Sequence, residues 1–469
     1  MLPKEYFEDS LAQGVAFGTL QHVVHNRFTL LKLDVGYGKT VISMLVAKAL
    51  ASLQGGTLQI MVIAPKAKRL DKSFNEAIES TEKYYGVKLN IVPINGQEIG
   101  TFAGLNTMKK KPDMWKAFQQ QLFKTPTLLI LDETHMQLRN PTGLANKTFV
   151  KLFKEIKKHN SSLKILGLTA TPFDTSILDT VGYLVLNGDY TSRTAYYRQE
   201  VSGYTQAYQK GLHQRDIENM IVDGEYKIHK DMFNDIHRVL SKLKQIIYAP
   251  EAPRTFHIPE NVFKTLQVNL SSNGTQELRR IERLESMGAY SDNGTKTTDY
   301  VTALTTDINI LDTVVSLVEN PQNSQPLIFY QLNVTRQALI DRFTELGIDF
   351  YEVNGHSQSY FKENDGKSPV IVQYLSGAAA FESKTSNTSI YLDLPTSAIN
   401  FQQSLGRNAR RGQDVDVVTN YIIEPLKDNG RQVQWFKKSY NRIVNKTRWN
   451  QKFEKTFITP WGQFDENKV

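Results

Sequence analysis

The chain of 469 residues is 40% hydrophobic and 22% charged, which allows two or more domains with buried cores. It contains no cysteine, so disulfides, zinc fingers, iron–sulfur clusters and a cysteine nucleophile are excluded. The formal net charge of +8 favours a polyanionic partner only weakly, because an ordinary basic surface fits it equally well.

Two features argue against a membrane protein. Residues 1–10 are polar and acidic, unlike a secretory signal, and the longest apolar helical stretch, 41–53, is interrupted by Lys48. That stretch is shorter than the roughly 20 apolar residues of a membrane span. We therefore expect a protein that contacts no membrane and resides in the cytoplasm, which would be the host cytoplasm for a viral protein.

The first 200 residues alternate short apolar runs with helical patterns. The predicted strands are 28–33, 58–64, 127–131 and 163–168, and the predicted helices are 40–53, 66–80 and 144–158. Strands that alternate with helices indicate βαβ units and a parallel sheet. The same alternation returns towards the C-terminus, with predicted strands at 327–330, 350–353, 370–374, 389–392 and 415–422 and helices at 335–346 and 398–410.

The middle of the chain, 189–321, is predicted to be largely helical. Two sets of apolar residues each share a helical face and are expected to be core: Met232, Phe233, Ile236, Val239, Leu240, Leu243 and Ile247 in the first, and Val301, Leu304, Ile308, Leu311, Val315 and Val318 in the second. Loop-like breaks fall at 249–253 and 271–274, and the first is the predicted hinge. The predicted fold class is α/β, with two parallel-sheet domains in tandem and a mainly helical insertion between them.

A phosphate-binding loop is predicted directly after the first strand. Gly36 and Gly38 let backbone N–H groups turn inward around a phosphate, and the following helix adds partial positive charge at its N-terminus. Lys39 would reach the phosphates and the Thr40 hydroxyl would ligate Mg²⁺. Leu33 stands where the first glycine of the full motif would fall. A glycine turn that merely precedes a helix is the alternative interpretation.

Two carboxylates follow the apolar strand at 127–131. Asp132 and Glu133 would lie at the carboxyl end of this strand, where open α/β sheets bind their ligands. Asp132 is predicted to hold Mg²⁺, and Glu133 to orient and deprotonate an attacking water. A solvated acidic turn would be common for such a pair alone. Its occurrence with Lys39 in one domain favours a nucleotide site.

Two further segments complete the candidate set. Thr169 and Thr171 follow the strand at 163–168 and would link the hydrolysis site to a nucleic-acid track, although a plain turn fits them equally well. Arg407 and Arg410 are three residues apart and share a helix face in the second domain. They would stabilise the negative charge of phosphoryl transfer, and a solvated basic helix end is the alternative.

In order and approximate separation, these segments resemble motifs I, II, III and VI of superfamily-two helicases and translocases. The Swi/Snf-type branch is the closer resemblance, because Gln137-Leu138-Arg139-Asn140 follows the acidic segment and Arg410-Arg411-Gly412-Gln413 ends motif VI. The resemblance implies two RecA-like domains that bind ATP and Mg²⁺, with Gln13 reading adenine and Gln403 at the nucleotide. Motif Ia would be 64–66 and motif IV would begin at 326. Residues 377–381, at the place of motif V, lack its usual core.

Basic residues suggest where nucleic acid would lie. Lys66, Lys68 and Arg69 follow a strand end and would contact phosphates irrespective of sequence. Residues 431–455 interleave basic and aromatic side chains, which suits backbone tracking and base stacking. An amphipathic helix that packs its aromatic residues on the second domain is the alternative. The nine histidines show no metal-ligand spacing, so Mg²⁺ with the nucleotide is the only metal expected.

We therefore expect an ATPase that couples hydrolysis at a cleft between two domains to movement or strand separation on nucleic acid. The predicted division is 1–200 for the ATP-binding domain, 201–320 for the helical insertion, 321–430 for the second RecA-like domain and 431–469 for a basic aromatic extension. DNA is favoured over RNA by the Swi/Snf-type features. An RNA helicase, and a non-motor ATP-gated DNA clamp or adaptor in a replication, repair or restriction complex, remain alternatives. A protein partner that targets the motor is also expected.

Overall fold

The computed structural model consists of two compact units. The described residues up to 250 form the first, and those from 258 to 444 form the second. The structure describes residues 5–34, 37–64, 73–95, 125–138, 150, 153–154, 156–172, 181–200, 221–222, 225–226, 239, 241–250, 258–355, 357, 359–374, 381, 383–395, 397–409, 413, 415–427 and 429–444. The boundary between the units falls after Pro253, within the predicted hinge segment, whose motion stays a prediction.

The first unit is a parallel sheet with helices. Its helices are α1 (Glu5–Glu8), α2 (Ser10–His25), α3 (Lys39–Leu53), α4 (Ser73–Tyr85), α5 (Thr134–Leu138), α6 (Val181–Asn187) and α7 (Arg193–Glu200). Its strands are β1 (Phe28–Lys32), β2 (Gln59–Ala64), β3 (Asn90–Asn95), β4 (Thr127–Leu131), β5 (Lys164–Thr169), β6 (Ile221–Val222), β7 (Glu225–Tyr226) and β8 (Ile247–Tyr248). The described strands of the main sheet run parallel in the order β3-β2-β4-β5-β1-β8, and β6 and β7 form a separate antiparallel pair.

Burial explains why the central strands of this sheet are mostly apolar. Every residue of β4 is buried, and in β1 only Lys32 is partly exposed. A parallel sheet covered by helices on both faces excludes water from both sides, so its strands read as continuous apolar runs. The helix α3 buries eight of its residues against this core. These elements fix the carboxyl ends of the central strands at one edge of the sheet.

The second unit repeats this architecture. Its helices are α8 (Ser272–Ser286), α9 (Asn293–Thr305), α10 (Ile308–Val318), α11 (Asn333–Leu346), α12 (Tyr360–Glu363) and α13 (Ala398–Leu405). Its strands are β9 (Glu260–Asn269), β10 (Leu327–Tyr330), β11 (Tyr351–Val353), β12 (Val370–Gln373), β13 (Thr388–Tyr391) and β14 (Val417–Leu426), which pair in parallel in the order β11-β12-β10-β13-β14-β9. The predicted α/β class with two parallel sheets is confirmed, and the arrangement is consistent with two RecA-like domains.

The strand β9 lies in the middle segment, which was predicted to be largely helical. It pairs with β14 along its whole length, from Glu260 beside Val417 to Asn269 beside Leu426. Most of its side chains are exposed or half-buried because it forms the edge of the sheet. An edge strand keeps a mixed polar sequence, so it lacks the apolar run that marked the central strands. Likewise β3, which contains Pro93, was not predicted.

Residues 271–274, predicted as a loop, begin a helix instead. The Ser271 hydroxyl caps α8 by accepting a hydrogen bond from Gly274 N at 3.0 Å. Serine, asparagine and glycine favour both turns and helix N-termini, so the composition alone could not separate the two.

The apolar residues of 301–318 were predicted to share one helical face, and the structure divides them between two helices. Asp307 ends the run because its carboxylate accepts from Asn309 N and caps α10. The helices α9 and α10 meet at a bend of 60°, which leaves Ile308 43% exposed. A favourable N-cap therefore outweighed the continuous apolar pattern. In the first predicted stripe, Ile247 lies in β8 rather than in a helix.

Apolar helices in the described part of the chain bury their side chains in the core. None of these helices alone is long and apolar enough to cross a membrane. The bent pair α9 and α10 together has the length and the apolar composition of a membrane span. The apolar residues of that pair, among them Leu304, Leu311 and Val314, belong to the core of the second unit. Their hydrophobicity is thus accounted for by packing against the second sheet.

The start of the basic aromatic extension packs on the second unit. The Trp435 ring stacks on Tyr300, with ring centroids 5.3 Å apart and planes at 4°. Phe436 and Ile443 are buried in the same core. For these residues the structure supports packing over base stacking. Trp449 and Phe453 lie outside the described residues.

Most predicted boundaries agree with the structure within about two residues, and the larger differences are at helix ends and at the end of β14, which was predicted at 422 and lies at Leu426. The helix predicted at 398–410 ends at Leu405, and the one predicted at 66–80 is described as Ser73–Tyr85, with 66–72 outside the described residues. Of the helix predicted at 144–158, residues 150, 153–154 and 156–159 are helical.

Candidate active site

Three neighbouring strands of the first sheet end at the same edge. Lys32 at the end of β1 lies beside Thr169 at the end of β5, and Leu131 at the end of β4 lies beside Gly167. Adjacent strands are about 4.8 Å apart, so the ends of β1 and β4 are separated by roughly 10 Å with β5 between them. The segments after these strands carry the predicted phosphate loop, the acidic pair and the two threonines.

The Lys39 ammonium is held over the loop that precedes α3. Its Nζ donates to the carbonyl oxygens of Leu33 at 2.8 Å and Asp34 at 2.9 Å. Lys39 and Thr40 are both half-buried and form the first turn of α3. A lysine ammonium and a helix N-terminus in one place favour an anion. Gly36 lies outside the described residues.

Gly38 allows the loop to enter the helix. It caps α3 with φ at +73°, a left-handed conformation that costs other residues about 1–2 kcal/mol. A Cβ added there would have no neighbour within 4 Å, so the requirement for glycine comes from the backbone angle and not from lack of space.

The acidic pair lies in a tight turn at the end of β4. Asp132 is fully buried, and its N–H donates to Ile63 O on the neighbouring strand β2 at 2.8 Å. Glu133 is 7% exposed and has φ at +47°, although it is not glycine. Strained backbone of this kind costs of order 1–3 kcal/mol and is concentrated at functional sites, where the surrounding structure imposes it. The turn therefore fixes two carboxylates at the sheet edge.

Hydrogen bonds connect the acidic turn to the segment after β5. The Nδ1 atom of His135 lies 2.9 Å from Thr169 Oγ1 and 3.5 Å from Glu133 Oε2. Thr169 Oγ1 also accepts from Thr171 N at 3.0 Å. These contacts join the acidic turn to the two threonines, and their coupling to a nucleic-acid track stays a prediction.

Residues 16–180 match the family model of DEAD/DEAH box helicases. The match supports a superfamily-two helicase domain and, with it, an ATP-dependent helicase. It spans the phosphate loop, the acidic turn and the threonine segment, and it begins after Gln13. Among curated proteins the comparison gives no match.

Gly167 and Thr134 lie in the candidate site, and the sequence alone did not single them out as site residues. Thr134 Oγ1 donates to Leu131 O at 2.8 Å and lies 3.2 Å from Leu168 O, which ties α5 to both strands. A Cβ on Gly167 would lie 2.7 Å from Thr134 Oγ1 and 2.8 Å from Leu30 Cδ1. A glycine inside an apolar strand was the available signal, because it marks close approach by another group.

Gln13 lies on the exposed side of α2 in the first unit. Its Nε2 donates to Phe7 O at 2.6 Å, which fixes the orientation of the amide. Lys66, Lys68 and Arg69 lie outside the described residues.

In the second unit, Arg407 is buried and hydrogen-bonded to its own unit. Its side chain is 2% exposed, Nε donates to Gln403 O and Nη1 donates to Phe381 O, both at 2.9 Å. Arg407 O also accepts from Ser383 N at 2.9 Å. The guanidinium thus holds Phe381, the last residue of the segment expected for motif V, and the backbone of Arg407 holds Ser383. Arg410 and residues 377–380 lie outside the described residues, and Gln403 is buried.

The Arg407→Ala variant is expected to destabilise the second unit by about 3 kcal/mol, because two buried carbonyl oxygens lose a charged donor. Urea denaturation of the full chain would measure the change, with Arg431→Ala, at an exposed position, as the matched control. A denaturation midpoint equal to that of the control would show that these hydrogen bonds are dispensable.

A buried carboxylate stands at the carboxyl edge of the second sheet. Asp393, two residues after β13, accepts from Gln331 N at 2.7 Å and from Thr335 Oγ1 at 3.1 Å. Burial raises the pKa of Asp393 to about 7, and these hydrogen bonds only partly oppose that rise. The folded state therefore keeps the proton at pH values where the unfolded chain has released it.

This carboxylate is expected to make stability depend on pH in a definite direction. The pKa of Asp393 is raised in the folded state. Its contribution to the free energy of unfolding is therefore fully present below about pH 4 and is lost as the pH rises towards about 7. The wild type should therefore lose stability relative to Asp393→Asn across this window, because the amide cannot ionise. Urea denaturation of both proteins from pH 4 to 8 measures the difference. A difference independent of pH would contradict the assignment.

Proposed function

We propose that the protein is an ATP-dependent motor on nucleic acid, with DNA as its track and with the mechanism of the Swi/Snf-type branch. The observation that carries the proposal is the single sheet edge at which Lys39, held by two loop carbonyls, and the buried pair Asp132 and Glu133 follow strands separated only by β5. Hydrolysis would be coupled to movement along the duplex or to strand separation.

The phosphates of ATP are the anions that this loop suits. In the structure Lys39 Nζ is satisfied by carbonyl oxygens of the loop, and a bound triphosphate would provide stronger, charged acceptors at the N-terminus of α3. In the same proposal, Gln13 recognises the adenine, and Gly36, Gly38 and Gln403 contribute to nucleotide binding.

The residues available for Mg²⁺ suit this ion chemically. Thr40 offers a hydroxyl oxygen in the first turn of α3, and Asp132 offers a carboxylate at the end of β4. Such hard oxygen donors are the ligands that Mg²⁺ prefers, with substrate phosphates completing its coordination. When bound, the ion neutralises phosphate charge. Glu133 would orient the attacking water and accept its proton, while Arg407 and Arg410 remain assigned to the phosphoryl-transfer step as part of this proposal.

Nucleic-acid contacts in the first unit are proposed for Lys66, Lys68, Arg69, Thr169 and Thr171. Two observations support the threonines. They are hydrogen-bonded to the acidic turn through His135, and Thr171 Oγ1 is buried with no hydrogen-bond partner among the described residues. A hydroxyl in that position suits a phosphate or sugar oxygen.

The preference for DNA rests on the Swi/Snf-type sequence features. One of them, Gln413, is buried, and its Nε2 donates to Ser383 O at 2.7 Å and to Ser386 O at 3.1 Å. The backbone of Arg407 also bonds to Ser383, and its side chain bonds to Phe381. Arg407 and Gln413 therefore both pack against this part of the second unit. This packing supports an intact motif VI and leaves the choice of polymer to experiment.

Steady-state ATP hydrolysis with Mg²⁺ tests the proposal. It would be measured without polymer and with single-stranded DNA, duplex DNA and RNA, beside a Lys39→Ala control. We expect duplex DNA to stimulate hydrolysis strongly and Lys39→Ala to remove the stimulation. Stimulation by RNA alone would replace the DNA motor with an RNA helicase. Negligible turnover with every polymer, although ATP binds, would overturn the motor in favour of an ATP-gated clamp or adaptor.

A further inference from the structure

Three cationic side chains converge where β1 and β5 begin, at the edge of the first sheet opposite the nucleotide loop. A Cβ placed on Gly188 would lie 2.9 Å from Arg27 Nη1 and 3.7 Å from Lys157 Nζ, so these two groups flank one glycine. Lys164 Nζ donates to Val24 O at 2.6 Å and to Asn26 O at 3.1 Å. The three charges therefore occupy one small region of the surface.

These cations interact unfavourably with one another. Burial lowers the pKa of both Lys157 and Lys164, and the nearby charge of Arg27 lowers each pKa further. No ion pair among the described residues includes any of the three. Like charges held together in this way favour an external anion.

The negative C-termini of two helices offset only part of this positive charge. The helices α2 and α6 both end in this region, where Val24 O accepts from Lys164 and Gly188 N donates to Leu184 O. The C-terminus of a helix carries roughly −0.5 of an elementary charge, so the two ends offset about one of the three positive charges. An excess of roughly two positive charges remains.

An exposed apolar surface adjoins the cations. Phe17 is 62% exposed and Val24 is 42% exposed, and seven residues, about two turns, place them on the same face of α2. The carbonyl of Val24 accepts a hydrogen bond from Lys164, so this apolar face lies next to the three cations. We call Phe17, Val24, Arg27, Lys157 and Lys164 together the α2 surface.

We propose that the α2 surface docks an acidic amphipathic helix of a partner protein. Its apolar side chains would cover Phe17 and Val24, and carboxylates at one end would meet the three cations. A nucleic-acid backbone suits the surface less well, because its phosphates require cations spread along their path. Here the charges lie at one end, and two exposed apolar side chains, Phe17 and Val24, lie along the rest of the face. Docking at this edge leaves the nucleotide edge of the unit uncovered.

Fluorescence anisotropy with the full chain tests this docking. The probe is a labelled helical peptide with leucines along one face and glutamates at one end, measured at low and high salt. We expect binding that weakens with salt, and about tenfold weaker binding for both Lys157→Glu and Phe17→Ser. Lys437→Glu, at an exposed position of the second unit, is the matched control. A peptide of the same composition in scrambled order should bind at least tenfold more weakly.

Three results would overturn the proposal: no binding of the peptide, equal affinity for the variants and the wild type, or equal affinity for the scrambled peptide. A single-stranded oligonucleotide that loses affinity with Lys157→Glu, while the peptide does not, would identify a nucleic-acid surface instead. Thermal unfolding would verify that both variants fold. Because Lys157 precedes β5, at the sheet edge opposite the nucleotide loop, polymer-stimulated ATP hydrolysis by Lys157→Glu should equal that of the wild type, so this test is independent of the motor proposal.

Discussion

The Glu133→Gln variant is expected to lower kcat for ATP hydrolysis by about 10²- to 10⁴-fold, the usual contribution of a general base. Glutamine keeps the length and shape of the side chain, and it has the same difficulty as glutamate with a φ of +47°. The substitution therefore removes the proton acceptor with little change in the geometry of the turn. The KM for ATP should change little, since Lys39 and the phosphate loop are untouched.

Steady-state kinetics with saturating polymer measure this effect, and Glu319→Gln provides an isosteric control at an exposed helix end. If the variant retains more than a tenth of wild-type kcat, the general base is a residue other than Glu133. A large rise in KM with unchanged kcat would instead assign Glu133 to nucleotide binding.

The Gly167→Ala variant is expected to destabilise the first unit by about 1–3 kcal/mol, as overpacking of a buried site usually does. The added methyl would lie 2.7 Å from Thr134 Oγ1 and 2.8 Å from Leu30 Cδ1, and both atoms belong to elements that hold the active site. If α5 shifts to make room for the added methyl, the acidic turn that precedes it moves as well. ATP hydrolysis should then fall together with stability.

Thermal unfolding and ATP hydrolysis of the same preparation separate the two effects. Gly14→Ala is the matched control, because a Cβ there meets nothing within 4 Å and α2 would gain about 0.5–1 kcal/mol from the better helix former. If Gly167→Ala unfolds at the wild-type temperature with full activity, the contact with Thr134 does not constrain the site.

The central strands and the active-site loops could be predicted because local sequence determines them. The runs that form β1 and β4 are mostly apolar, since helices cover both faces of the sheet. The phosphate loop and the acidic turn follow these strands directly along the chain, and parallel pairing brings them to one edge. Their shared location therefore follows from the strand order.

Features that depend on partners distant in sequence could not be predicted in this way. The spacing of Arg407 and Arg410 predicted a shared helix face, but the helix ends at Leu405, before Arg407. Nor does the spacing reveal that the guanidinium of Arg407 donates to Phe381 O. The edge strand β9 has no apolar run, and only its pairing with β14 defines it. Whether Asp307 would interrupt a continuous apolar pattern depended on competition between capping and burial.

The pairing of β9 with β14 has a consequence for the order in which the second unit is made. Gln267 and Glu424, joined across this pair, are 157 residues apart in the chain. At about 5–20 residues per second, a ribosome needs roughly 10–30 s to supply β14 after β9 has emerged. During that interval an edge strand of ten residues has no partner in its own sheet, and contacts of such long range fold slowly. The newly made chain is therefore exposed to strand-mediated aggregation in the interval between the synthesis of β9 and that of β14.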